Sequence, residues 1–379
     1  MRPLKFILNS FRIFFIGLLA LGPVSHSKTV KISILTEVPE VVKDIDVFKA
    51  IPASAQIALD SRKRKLKEAG IDVIFDFHQD KMSPADLHST MKKAFESDSI
   101  AAVGFRSSAG VEYSSKVIQG TDFVAISPFA TSSKVFELKP NYYALVAGNK
   151  EVSKQLEKFI MKDLKAKRPL SIVAWDSPYS RDFQESFSNE FSKKIKLMKT
   201  WESLDGFEKS LDEIRNYNPD VVILPNFPVV SASLIRILRN ANINCVFVGA
   251  DSWGEGDQSV MTKILKNIEF KAYTIRQFSI YNLTDSQKQF KAILKSKYDA
   301  EYAAVIGLYH DSTLFILDLI IKNSNRLTRS AIVKDAQKIK TVEGVMGKNC
   351  LSSDVCPGRS FSIIELTNHG YKMHKVINQ

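Results

Sequence analysis

"VGFRSSAG" at residues 103–110 and "ISPFATSS" at residues 126–133 each begin as a short apolar strand and break into small hydroxyl residues. The segment between them has the length of one helix. A strand with a hydroxyl-rich exit, a helix, and a second strand with the same kind of exit read as part of a parallel α/β sheet. In such a sheet the strand ends lie side by side. Three chemistries could use paired exits of this kind: a nucleophile, a phosphate cradle, or a shallow pocket that grips a small polar ligand.

The same alternation runs along most of the chain. Apolar runs at 30–35, 71–77, 100–104, 123–127, 170–175, 221–225 and 245–249 are continuous, as expected of parallel strands covered on both faces. Amphipathic segments at 151–165, 207–217 and 231–241 lie between them. "EAGIDV" and "YNPDVV" each end a helix and open a strand. The pattern runs twice, the first set ending near "YYALVAG" and the second beginning with the helix at Glu151. Long helices follow at 284–298, 303–323 and 329–338, and the tail from 347 to 377 reads as short strands with turns. The expected fold is α/β, with two Rossmann-like doubly wound lobes.

The chain has 379 residues, 45% of them apolar and 25% charged, enough for two globular cores. Its first segment is of another kind. Arg2, Lys5 and Arg12 precede "IFFIGLLALG" at 13–22, an apolar run of signal-peptide length, and "VSHS" then places Ser25 and Ser27 as small residues of a cleavage site. Residues 1–27 are expected to be a removed leader, with the mature chain outside the cytoplasm. A retained membrane anchor is the alternative. Without the leader the formal charge falls from +12 to +9. The one dense basic run, "SRKRKLKEAG" at 61–70, reads as the solvated side of a helix whose other side carries Ile57, Leu59 and Leu66, so no nucleic-acid partner is expected. Cys350 and Cys356 could pair in an oxidising compartment, and Cys245 reads as a buried thiol.

Neither exit carries the Gly-x-Ser-x-Gly of a nucleophile elbow, and no phosphate-loop motif is present. The six histidines are dispersed, and no cysteine or histidine spacing points to zinc. No catalytic residue, metal or cofactor is therefore expected, and the chain is not read as an enzyme. Ligand capture remains. Ser107 and Ser108 follow the third strand and precede a helix, whose free N–H groups attract an anion. Ala130, Thr131 and Ser132 occupy the same point after the fourth strand. Hydroxyls and amides there can hold a carboxylate, although serines at such points also serve simply as caps.

The two exits, with "WDSPYSRDF" at 175–183, "NPDVVILPNFPVVSASLIRILRNANI" at 218–243, "FVGADSW" at 247–253, "AAVIGLYHDS" and "VEGVMGK" at 342–348, resemble the periplasmic amino-acid-binding proteins of the leucine/isoleucine/valine type. Those proteins are receptors of ABC importers. The resemblance implies a type I periplasmic-binding-protein fold, with two lobes joined by three hinge crossovers. It implies an N-terminal lobe of 28–147 and 279–346 and a C-terminal lobe of 148–278 and 347–379. It further implies that Ser108, Ala130, Thr131 and also Ser132 bind a ligand carboxylate, that Tyr179 covers the ligand, and that Asp251 takes its ammonium. Its partners would be an amino acid or related small molecule and a membrane permease, with the receptor acting as a monomer.

Some residues depart from the family pattern. Phe227 stands where relatives often carry Tyr. Arg106 is unusual beside the serines, and a guanidinium facing the cleft would favour a second acid group on the ligand. The loop at 36–54 lacks the usual glycines. Two other functions use the same residues differently: a sensor that reports ligand to a membrane kinase or chemoreceptor, and an α/β hydrolase acting through Ser107 or Ser108.

Overall fold

The computed structural model describes residues 27–38, 47–81, 83–191, 195–254, 260–351 and 356–378. The expected leader, apart from Ser27, and part of the 36–54 loop lie outside the described residues.

The first half builds β1 (Lys28–Val38), α1 (Val47–Glu68), β2 (Ile71–Lys81), α2 (Pro84–Glu96), β3 (Ser99–Val103), α3 (Ser108–Ile118), β4 (Ala125–Ser127) and β5 (Tyr142–Ala144). These strands form a parallel sheet in the order β2-β1-β3-β4-β5. Next come α4 (Asn149–Lys158), β6 (Pro169–Ala174), α5 (Pro178–Glu190), β7 (Lys196–Thr200), α6 (Leu211–Tyr217), β8 (Val221–Leu224), α7 (Pro228–Asn240), β9 (Val246–Gly249), α8 (Val260–Leu265) and β10 (Lys271–Arg276). The chain ends with α9 (Asp285–Tyr298), α10 (Ala304–Lys322), α11 (Arg329–Ala336), β11 (Thr341–Gly344), β12 (Gly347–Cys350), β13 (Phe361–Thr367) and β14 (Gly370–Ile377). The second sheet runs β14-β13-β10-β9-β8-β6-β7, parallel except at one edge, where β13 runs antiparallel to both β10 and β14. This is the two-lobe α/β architecture expected.

Strands buried on both faces explain the unbroken apolar runs. Ile32 and Ile34 of β1 pack with α1 and α10, whereas Leu35 points to the opposite face with Leu87 and Met91 of α2 and Val111 of α3. In the second sheet Val222 and Leu224 face the side covered by α6 and α7, and Val221 and Ile223 face α4 and α5. α10 is apolar and long enough to cross a membrane, but most of it is buried inside the molecule, where it is the central helix of the first core.

Local details differ from the sequence reading. Ile57 and Leu59 of α1 are only partly buried; Ile51, Ala55, Ala58 and Leu66 form the inward stripe, whose alanines bring α1 close to its neighbours. The helix expected at 151–165 starts at Asn149 and finishes in a π-helical turn at Phe159–Asp163. Cys245 is part-buried, just ahead of β9, rather than inside a strand. Cys350 and Cys356 are joined in a disulfide.

The chain passes from the first sheet to the second after β5, returns after β10, and crosses again through the β11–β12 hairpin into β13. Asp311 of α10 pins that third passage: its carboxylate accepts the Val345 and Met346 N–H groups at 2.9 Å each and the Asn349 amide at 3.2 Å.

Candidate functional site

The first half of the site stands at the carboxyl ends of β1, β3 and β4. Glu37, fully buried near the end of β1, accepts the Ser107 N–H at 2.5 Å and the Arg106 N–H at 3.1 Å. Burial raises its carboxyl above the ordinary range, while the Arg106 charge and the Ser107 N–H oppose the rise. The structure thus sets the charge of Arg106 against Glu37.

The serines then take distinct roles. Ser107 caps α3, its hydroxyl accepting the Gly110 N–H at 2.9 Å. Ser132 caps the following 3-10 turn through Lys134 N at 3.3 Å. Ser108 Oγ accepts the Ser132 N–H at 3.3 Å, so the two exits quoted at the outset meet. Ser127 Oγ accepts the Ala130 N–H at 3.0 Å and donates to the Phe105 carbonyl at 2.6 Å. The Ala130 amide is therefore committed within the lobe. Among the described residues, the hydroxyl hydrogens of Ser108 and Thr131 have no acceptor, and both residues are buried. They are donors that this side can offer.

The second half is built by α5 and the exit of β9. Tyr179, in the first turn of α5 behind Pro178, donates to Asp251 Oδ1 at 2.8 Å and accepts the Ser252 N–H at 3.3 Å. Gln277 Nε2 lies 3.4 Å from Asp251 Oδ2 and also ties to the Ala147 carbonyl at 2.8 Å. Arg276 donates to the backbone carbonyls of Asp251 and Trp253. Burial pushes the Asp251 carboxyl up, against the pull of Tyr179, the Arg276 charge and Gln277. The Tyr179 hydroxyl is raised well above its usual value, first by burial and then by Asp251. Phe227, ahead of α7, stacks on Tyr179 with ring centroids 5.3 Å apart. The bend that aims Asp251 needs Gly249: a Cβ there would sit 2.2 Å from the Trp253 indole ring.

The halves face each other closely. Asp182, one helical turn after Tyr179, accepts the Ser133 N–H from the opposite lobe at 3.2 Å. It also accepts the Asn149 side-chain amide at 2.5 Å, and the Asn149 N–H reaches the Thr131 carbonyl at 2.6 Å. Of the residues named from sequence, Ser108 meets Ser132 on one lobe and Tyr179 meets Asp251 and Phe227 on the other, while Thr131 reaches Asn149 across the lobes. Ser107 is committed to capping α3, and the Arg106 N–H to Glu37. Sequence reasoning missed Glu37, Asn149, Asp182 and Gln277. An acid closing the apolar run "KISILTE" was the one available signal for Glu37.

Among the described residues, no group of histidine, cysteine, aspartate and glutamate could hold a metal ion. No histidine among them hydrogen-bonds to Ser107 or Ser108; His310 instead bonds to Asp311 at 2.9 Å.

The periplasmic binding protein family model matches residues 29–368. The chain belongs to the periplasmic binding protein family. Among curated protein sequences nothing matches it. Solved members of similar fold include the leucine binding protein LivK of Thermotoga maritima, with a TM-score of 0.79 and 17% identity, covering 92% of this chain and 99% of that one. The branched-chain amino acid transporter protein LivJ of Streptococcus pneumoniae, solved with isoleucine, has a TM-score of 0.75 at 18% identity over 93% and 99% of the two chains. A solute-binding protein of R. palustris, solved with benzoate, has a TM-score of 0.74 at 15% identity over 92% and 96%. At these identities the likeness speaks to the fold.

Proposed function

We propose that the chain is an extracytoplasmic solute-binding protein that captures an amino acid or similar small polar ligand between its lobes and delivers it to the permease of an ABC importer. Its leader is removed on export, and it acts as a monomer. The lobes are 28–147 with 279–346, and 148–278 with 347–379.

Ligand first meets the N-terminal lobe, where the Ser108 and Thr131 hydroxyls, at the segment carrying Ala130 and Ser132, hold its carboxylate without a formal positive charge. Closure then brings Tyr179 over the ligand and Asp251 to its ammonium. Only the closed form offers both sets of contacts, so ligand shifts the population towards closure. The observation that carries this reading is the buried Tyr179–Asp251 pair on one lobe, taken with the Ser108–Ser132 contact on the other. The neighbours crystallised with isoleucine and benzoate both hold a small carboxylate.

A second ligand class has its own support. The Tyr179–Phe227 stack offers an aromatic wall, and both Asp251 oxygens already have donors, an arrangement that also accommodates an aromatic carboxylate without an ammonium. Thermal-shift screening of the mature chain against amino acids and benzoates tests both. An amino acid that raises the melting temperature, with the shift lost in Asp251→Ala, supports the first reading. A benzoate shift that survives Asp251→Ala but not Ser108→Ala supports the second, and no shift from either class contradicts both.

A further inference from the structure

Asp182 belongs to neither half of the site, yet it is the side chain on which the two lobes and the first crossover meet. It lies on α5, between two strands of the second sheet, and is 6% exposed. One of its oxygens accepts two donors from outside that lobe's α5–β6 unit: the backbone N–H of Ser133, which follows β4 of the first sheet, and the side-chain amide of Asn149, which opens α4 just after the crossover. Asn149 in turn donates its own N–H to the Thr131 carbonyl. Beside this cluster the Ser133 and Ser186 hydroxyl oxygens come within 3.5 Å across the lobes.

We propose that Asp182 is a closure latch, a positioning residue that stabilises the closed form and at the same time fixes the 131–133 segment in ligand-binding geometry. The proposal rests on the reading of the chain as a two-lobe clamp, but its test needs no ligand. The physical argument has two parts. A buried carboxylate accepting N–H groups makes charge-assisted bonds, which are stronger than neutral ones. In an open form Ser133 moves away with its lobe, so the contact counts only towards closure and biases the equilibrium by its full strength. The second part concerns the ligand hydroxyls. Ser133 is held by Asp182, the adjacent Ser132 N–H is held by Ser108 Oγ, and Thr131 is held by Asn149. Closing the latch therefore orders the residues that offer hydroxyls to the carboxylate, although Asp182 itself never touches ligand.

The Ser133–Ser186 approach supplies the assay. In a Cys245→Ser background, Ser133→Cys with Ser186→Cys places two thiols where the hydroxyls meet, and the rate of disulfide formation under a fixed oxidant reports how often the ligand-free chain closes. Adding Asp182→Ala is expected to slow cross-linking about tenfold, the loss of one charge-assisted contact. Asp182→Asn keeps the shape but loses the charge, and at least a threefold slowing is expected; it serves if the alanine variant fails to melt cooperatively. Cross-linking at the parent rate in a folded Asp182 variant overturns the latch. So does a parent pair that never cross-links, since the two lobes would then not meet at this point. Neither outcome depends on which ligand the cleft takes.

Discussion

The Tyr179 hydroxyl and Asp251 Oδ1 lie 2.8 Å apart, with both residues almost wholly removed from water. An ammonium delivered beside this pair would meet a carboxylate that burial has left poorly solvated, which is where a counter-charge is worth most. Asp251→Asn keeps the shape and an acceptor for Tyr179 while removing the charge. It is expected to weaken binding of an amino-acid ligand by about 10- to 100-fold, the range for a hydrogen-bonded charge, without lowering the unfolding temperature at neutral pH. Calorimetric titration beside a melting curve checks both parts.

Glu37 and Asp251 also set a pH dependence. Burial raises both carboxyls from ordinary values of 4.5 and 3.8. Between the unfolded and the raised folded values the native state binds more protons, so stability falls as pH rises through that window and levels off above it. Melting temperature measured from pH 4 upward should decline, and Asp251→Asn should reduce the slope. A variant slope as steep as that of the parent would show that Asp251 titrates normally.

Ser107 and Ser108 are adjacent but have different jobs. Ser107→Ala removes a helix cap and should cost about 1 kcal/mol, leaving ligand affinity close to the parent's. Ser108→Ala should do the reverse, weakening affinity with a smaller effect on stability. Chemical denaturation and titration of the two variants separate the roles; if Ser107→Ala alone lost binding, the assignment would have to be exchanged.

Gly249→Ala tests the packing that aims Asp251. The added methyl would meet the Trp253 indole at 2.2 Å, and that ring is itself held by a 2.9 Å bond to Ser231. A cost of about 1–3 kcal/mol is expected from such overpacking, read as a lowered midpoint in urea. Ligand affinity should fall with it, because Asp251 stands two residues beyond the distorted bend.

Much of the fold was legible because parallel strands covered on both faces must be apolar throughout, and "LSIVAW", "VVILP" and "IAAVG" can be little else. β7 escaped for the opposite physical reason. In "KLMKT" only Met198 and Thr200 face the core, while Leu197 and Lys199 stand exposed on an edge. The hydroxyl exits, Tyr179 and Asp251 were named from strand-end position together with the resemblance to amino-acid-binding proteins, and the structure puts Tyr179 in contact with Asp251. Asp182, Asn149 and Glu37 were not, since each acts through a backbone group 18 to 70 residues away along the chain, and no local pattern marks such a partner. Nor could the sequence show that Glu37, from β1, lies beside Arg106.

The most direct measurement of the central claim is a crystal structure of the mature chain with the ligand that the thermal-shift screen selects. The carboxylate is expected within hydrogen-bond distance of Ser108 and Thr131, beneath Tyr179, with any ammonium on Asp251 and the two lobes closed over it. A ligand bound elsewhere, or one touching a single lobe while Ser108 and Asp251 face different spaces, would contradict the account.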